Sequence, residues 1–214
     1  MIRTISAFLL TFAVQAKALD PELLSKGEEA FSTDFKAGLP KGWRAQFGHW
    51  SASGGVLKAN QIPADNHAAA ARQVLEMQDG IFQLRFRFVR AGKGFHFGFD
   101  PKRGTLKKKG HLFSVIVSPA LVKITKHVDK NNREGDPNED LAKVEHQFKP
   151  GVWHTLMLEK RGNNVLAQIK GSASAQTIKL KAAHDTFHVP TPTLVFRCMG
   201  DGIEIAEVKV WRAE

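Results

Sequence analysis

Apolar and polar residues alternate with a period of two over most of this chain, and clusters of Gly, Pro and Asn interrupt the alternation at short intervals. Successive side chains on a strand point to opposite faces, so this period predicts strands with one apolar face. The clearest run is Ile81 to Val89. Phe82, Leu84, Phe86 and Phe88 share one face, and Gln83, Arg85 and Arg87 share the other. After Ala91-Gly92-Lys93-Gly94, Phe95, Phe97 and Phe99 take one face, opposite His96, Gly98 and Asp100. Two such runs across a short Gly-rich link predict a β-hairpin. In it Phe88 faces Phe97, Phe86 faces Phe99 and Arg85 faces Asp100, so that Arg85, Arg87, His96 and Asp100 share one outward surface.

The same grammar continues. Leu112 to Val117 and Leu121 to Thr125 flank Ser118-Pro119-Ala120, and Val152 to Glu159 and Val165 to Ile169 flank Arg161-Gly162-Asn163-Asn164. Such residues suit tight turns. Leu194 to Met199 and Ile203 to Trp211 flank Gly200-Asp201-Gly202, and a change of parity between Ile205 and Val208 predicts a bulge near Ala206 and Glu207. Upstream, Trp43 to Trp50 and Gly55 to Ala59 read as strands around residues 51–54. Residues 19–30 read instead as a short helix, with Asp20 as N-cap and Pro21 in the first turn. The prediction is one all-β domain over 19–214, an antiparallel sandwich or jelly roll with a short N-terminal helix.

The first residues add a second expectation. Arg3, the apolar run from Ala7 to Val14 and Ala16-Lys17-Ala18 stand in the order of a secretory leader over 1–18. The apolar run is too short to span a bilayer, which takes about 20 residues. The expected location is therefore periplasmic or secreted, with no membrane span. The formal charge is +10; the leader holds Arg3 and Lys17 of the 31 basic residues and none of the 21 acids, so +8 remains without it. A basic exported chain attracts anionic partners, and no motif directs that attraction to nucleic acid. The single cysteine, Cys198, lies in the apolar run Leu194-Val195-Phe196-Arg197-Cys198-Met199, which suits a small buried side chain better than a reactive thiol.

Among nine histidines, His67, His96 and His111 stand near predicted strand starts or on a polar strand face. No pair has the spacing of a zinc site, so only convergence in space would make them ligands, and no metal or cofactor is expected. Arg85 and Arg87 can grip a carboxylate or sulfate. Trp50, at a strand end, is the expected exposed platform for a sugar ring. The loop 129–140 is rich in oxygen ligands, but its Gly135 is the seventh residue and its twelfth is Asp140, which departs from an EF-hand.

Several landmarks resemble the concanavalin A-like lectin/glucanase superfamily, and within it exported 3-keto-disaccharide hydrolase and laminin-G-like domains. They are Gly42-Trp43, Gly48-His49-Trp50 with Gly54-Gly55-Val56-Leu57, Asp79 to Leu84, Pro150 to Leu156, and the closing Ile205 to Trp211. The resemblance implies two antiparallel sheets, one of them open to a glycan. The chain departs from the glucanase branch in lacking an E-x-D-x-E strand. Three readings follow: an exported protein binding polar or anionic glycans through Arg85, Arg87, His96, Asp100, His67, His111 and Trp50; a glycoside hydrolase of the 3-keto-disaccharide type; or a structural envelope protein. One fold hosts many functions, so the site must decide.

Overall fold

A computed structural model describes residues 18–90, 92–172 and 174–214. The expected leader therefore lies, apart from Ala18, outside the described residues. The early strands are β1 (Lys26–Thr33), β2 (Trp43–Phe47), β3 (His49–Ser53), β4 (Val56–Asn60) and β5 (Ala69–Met77). Next come β6 (Gly80–Phe88), β7 (Gly94–Asp100), β8 (Phe113–Ser118), β9 (Leu121–Lys126) and β10 (Glu139–Glu145). The last five are β11 (His154–Arg161), β12 (Asn164–Gly171), β13 (Thr177–Ala183), β14 (Thr191–Met199) and β15 (Ile203–Ala213).

They form two antiparallel sheets. Sheet I runs β13-β12-β11-β6-β15-β4-β3, with β1 also paired to β15. Sheet II runs β10-β9-β8-β7-β14-β5-β2. This is the sandwich that the alternation predicts. The turns at 119–120 and 162–163 close hairpins, and the register of β15 on β6 slips between Ile205 and Glu207, where the bulge is expected. Among the described residues no helix is long and apolar enough to cross a membrane.

The predicted hairpin between residues 81–89 and 95–100 does not form. β6 pairs with β11 and β15, while β7 pairs with β8 and β14 in the other sheet. Both edges of β6 are occupied, and the link crosses the edge of the sandwich with Val89 N–H donating to Gly202 O at 2.7 Å. The aromatic rows consequently meet face to face instead of side by side. Phe82 meets Phe99 with ring centroids 4.8 Å apart, and Phe86 meets Phe95 at 4.9 Å. Arg85 lies beside Thr155 and Glu207, far from the predicted Asp100 partner. Arg85 and Arg87 thus face out from sheet I, and His96 and Asp100 from sheet II.

The predicted helix over 19–30 is absent as well. Glu159, fully buried on β11, accepts from the backbone N–H groups of Glu22, Leu23 and Leu24 at 2.7–3.0 Å. Leu19 and Leu24 pack on Ile81, Met157 and Trp211, so this segment straps the outer face of sheet I. From Lys26 the chain pairs with β15 instead of coiling. The long strand read from Trp43 to Trp50 is broken at Gly48, where φ is 70° and a Cβ would sit 2.4 Å from Ala69 Cβ. Beyond that break the chain changes sheet, which turns Trp50 inward. Trp50 is only 8% exposed, stacks edge-on against Trp43 at 5.4 Å and donates to Phe47 O at 3.0 Å. It is a core residue and not the expected sugar platform.

Phe86 is fully buried and touches the rings of Phe88, Phe95, Phe148 and His154. Truncating it removes contacts from both sheets at once. Phe86→Ala should lower the unfolding free energy by about 3–5 kcal/mol in urea titration; a loss under about 1 kcal/mol would contradict this packing.

Candidate functional site

The outer face of sheet II carries polar groups in rows set by the strand registers. One row crosses Ala70, Arg197, His96, Ile116 and Lys123. The next crosses Arg72, Val195, Gly98, Ser114, Thr125 and Asp140. Gly98 leaves a gap between His96 and Asp100 on its own strand. Ser114 fills it so closely that a Cβ on Gly98 would lie 2.2 Å from Ser114 Oγ.

Asp100, at the end of β7, anchors a network. Its Oδ1 accepts from His111 Nδ1 at 2.5 Å and its Oδ2 from Arg72 Nε at 2.5 Å. Arg72 also donates to Gln46. Burial alone would raise the Asp100 carboxyl. The hydrogen bonds and charges of His111 and Arg72 outweigh it and hold the group below the ordinary carboxylate value, hence ionised. Around this network opens a cleft of about 450 Å³, a size typical of small-ligand sites. Phe47, His67, Arg72, Asp100 and His111 line it, and the basic loop contributes Lys102, Arg103, Lys108 and Lys109. Phe47 is 40% exposed and stacks on His67, with centroids 4.3 Å apart.

A second recess of about 430 Å³ opens on the same sheet face and is lined by His96, Lys123, Thr125, His127, Asp140 and Arg197. The imidazole of His127 links the two regions. Its ring lies 5.5 Å from that of His111 and 6.3 Å from that of His96, and its Nε2 is hydrogen-bonded to Ser114 Oγ at 2.8 Å. Burial first, then Arg197, His111 and Lys123 around His96, and His111, His96, Arg197 and Lys108 around His127, push both imidazoles down to about 3. Both rings are neutral near pH 7.

Of the seven residues singled out in the sequence, His67, Asp100 and His111 line one cleft and His96 the neighbouring recess. Arg85 and Arg87 are on the opposite sheet, over the ring of Trp153, with Arg87 also paired to Glu204 at 2.6 Å. Trp50 is in the core. Sequence reasoning missed Phe47, Arg72, His127 and Arg197. Arg197 did leave a signal, as one charge inside the apolar run of residues 194–199. In the loop 129–140, Asp136 is paired with Lys126 and Lys108, so the protein itself supplies its countercharge.

No protein-family model and no curated protein matches the chain in sequence. Solved structures match its fold. A non-specific endo-β-1,3(4)-glucanase from family GH16, SCLam, aligns with a TM-score of 0.65 and 13% identity over 91% of this chain and 95% of that one. The lectin UEA-II complexed with galactose aligns with a TM-score of 0.62 and 11% identity over 87% and 99%. The carbohydrate binding module CBM66 from Bacillus subtilis aligns with a TM-score of 0.54 and 13% identity over 80% and 93%. At these identities the likeness is one of fold.

His96 and His127 stay neutral in the fold but take up protons in the unfolded chain below their ordinary value of 6.5. The unfolded state then binds more protons, so stability should fall as the pH drops from 6.5 toward about 3. At pH 5 the loss should be roughly 1–2 kcal/mol per histidine relative to pH 7. Chemical denaturation of wild type and His96→Phe at both pH values checks this. A stability that is flat or rises on acidification would contradict it.

Proposed function

We propose that this chain, which has the concanavalin A-like jelly-roll fold, is an exported carbohydrate-binding protein that takes polar or anionic glycans on the outer face of sheet II. The observation that carries the reading is the cleft around Asp100. There an ionised carboxylate, two fixed nitrogen donors and an exposed aromatic ring converge on one open surface. Such a set suits a sugar: Asp100 accepts from hydroxyls, the basic loop faces acidic substituents, and Phe47 offers an apolar plane to ring C–H groups. The glucanase, lectin and binding module of the same fold add support by analogy. Export rests on the leader expected at 1–18 and places the ligand outside the cytoplasm.

Binding is favoured over hydrolysis by the state of the acids. Glycoside cleavage by the common two-carboxylate route needs one carboxyl kept protonated as general acid. Asp100 is held ionised by His111 and Arg72. Asp140 is held below its usual range by Lys123 and Thr125. Neither is a proton donor near neutral pH.

Glycan-array screening followed by calorimetry on the best oligosaccharide tests the reading. Phe47→Ala should weaken binding by about 3–10-fold, the worth of one aromatic contact. Arg85→Ala, on the far sheet, should leave the affinity within about twofold of wild type. A glycan lost with Arg85→Ala and indifferent to Phe47→Ala would place the site on the wrong sheet. Release of new reducing ends from the bound oligosaccharide would favour the hydrolase reading.

A further inference from the structure

Among the described residues, the one charge on sheet II that is not largely exposed and has no protein partner is Arg197. Asp100 takes Arg72 and Asp140 takes Lys123. Arg197 sits mid-strand on β14 between Ala70 of β5 and His96 of β7, and among the described residues no acid or carbonyl pairs with it. Its Nε is buried without a hydrogen-bond partner, and so is Nδ1 of His96 beside it. His96 is only 9% exposed. Desolvation, joined by the nearby charge of Arg72, pushes the Arg197 guanidinium down from its ordinary value. A partly buried cation without a counter-ion costs the fold free energy. A guanidinium without an ion pair, lining an open recess, is what an anionic ligand would complete.

We propose that this recess binds the carboxylate of a uronic acid residue, with Arg197 as its counter-ion and His96 on the wall beside it. The inference rests on the reading of sheet II's outer face as the glycan face, and it names the sugar class. The planar fork of a guanidinium matches a carboxylate with two parallel hydrogen bonds. The opposite wall of the recess suits the rest of the ring. Asp140 and Asn138 line it, and Asp140 accepts from Lys123 Nζ and Thr125 Oγ1 while keeping acceptor capacity for sugar hydroxyls. Among the described residues that line the recess, Arg197 is the one cation without an ion pair, which limits the subsite to one negative charge. The Asp100 cleft on the same face would take a neighbouring sugar.

The test uses a panel of oligouronates, each with its carboxyl-reduced neutral counterpart, and one sulfated neutral oligosaccharide. Wild type should bind at least one oligouronate about tenfold or more tighter than its reduced form. In Arg197→Gln that preference should fall to about twofold, while the reduced oligosaccharide still binds. Without ligand, Arg197→Gln should melt a few degrees higher than wild type, because an unpaired charge has been removed. Equal binding of charged and reduced oligosaccharides by wild type would overturn the uronate subsite and leave the glycan reading standing. So would a preference retained in Arg197→Gln, or binding through Arg197 of the sulfated compound alone. A lower melting midpoint for Arg197→Gln would overturn the premise of an unpaired charge. If wild type bound no oligosaccharide of either kind, the glycan reading would fail and the subsite with it.

Discussion

Two rows of aromatic side chains, one on each sheet, face each other across the sandwich, and the rest of the structure is arranged around that contact. Phe82, Phe86 and Phe88 on β6 meet Phe95, Phe97 and Phe99 on β7 in one core that also takes in Phe113, Phe196 and Phe148. Strand parity then leaves no freedom. Once the odd-numbered residues of β7 point inward, His96, Gly98 and Asp100 must point out, and the registers of β8 and β14 align Ser114, Ile116, Val195 and Arg197 beside them. The same packing sends Arg85 and Arg87 to the opposite surface. The strand residues of sheet II's polar face are thus fixed by the core behind them, while His111 and the basic loop reach the cleft from outside the strands.

Holding that many polar groups together on a sheet has an energetic cost, and the groups meet it in different ways. Asp100 is matched by two donors. His96 and His127 avoid the cost of a buried charge by remaining neutral. Arg197 cannot do so, since a guanidinium stays protonated. Local strain or mismatch of this kind is characteristic of functional surfaces, where stability is given up for a site that a ligand completes. The outer face of sheet I differs. Among the described residues Arg87 and Lys58 pair there with Glu204, Arg85 and Arg87 lie over Trp153, and part of the face is covered by the segment that Glu159 holds.

Periodicity revealed which residues of each strand are buried, and so the two-sheet class, the bulge at Ala206 and the short hairpins were legible. It did not reveal which sheet a strand joins. The linker after β6 has the glycines of a tight turn, and only the occupied edges of β6 show that it crosses over. Trp50 was misplaced for a related reason, because Gly48 looks like a mid-strand residue until the close approach of Ala69 is seen. The capping signals at Asp20 and Pro21 are genuine local preferences, but a distant buried carboxylate captured the same backbone N–H groups. Among the site residues, His96 and Asp100 were legible as polar residues at outward strand positions, and His67 and His111 as histidines at predicted strand starts. Arg72 and His127 came to the site only through tertiary pairing that no local pattern encodes.

The central claim is that the outer face of sheet II is where a glycan is held. Amide chemical-shift mapping during titration with a bound oligosaccharide tests it most directly. The account predicts perturbations confined to β5, β7, β8, β9, β10, β14, residues 101–112 and Asn138, with Phe47 at their margin and β11, β12 and β15 unmoved. Perturbations centred on Arg85, Arg87 and Trp153 instead would contradict it.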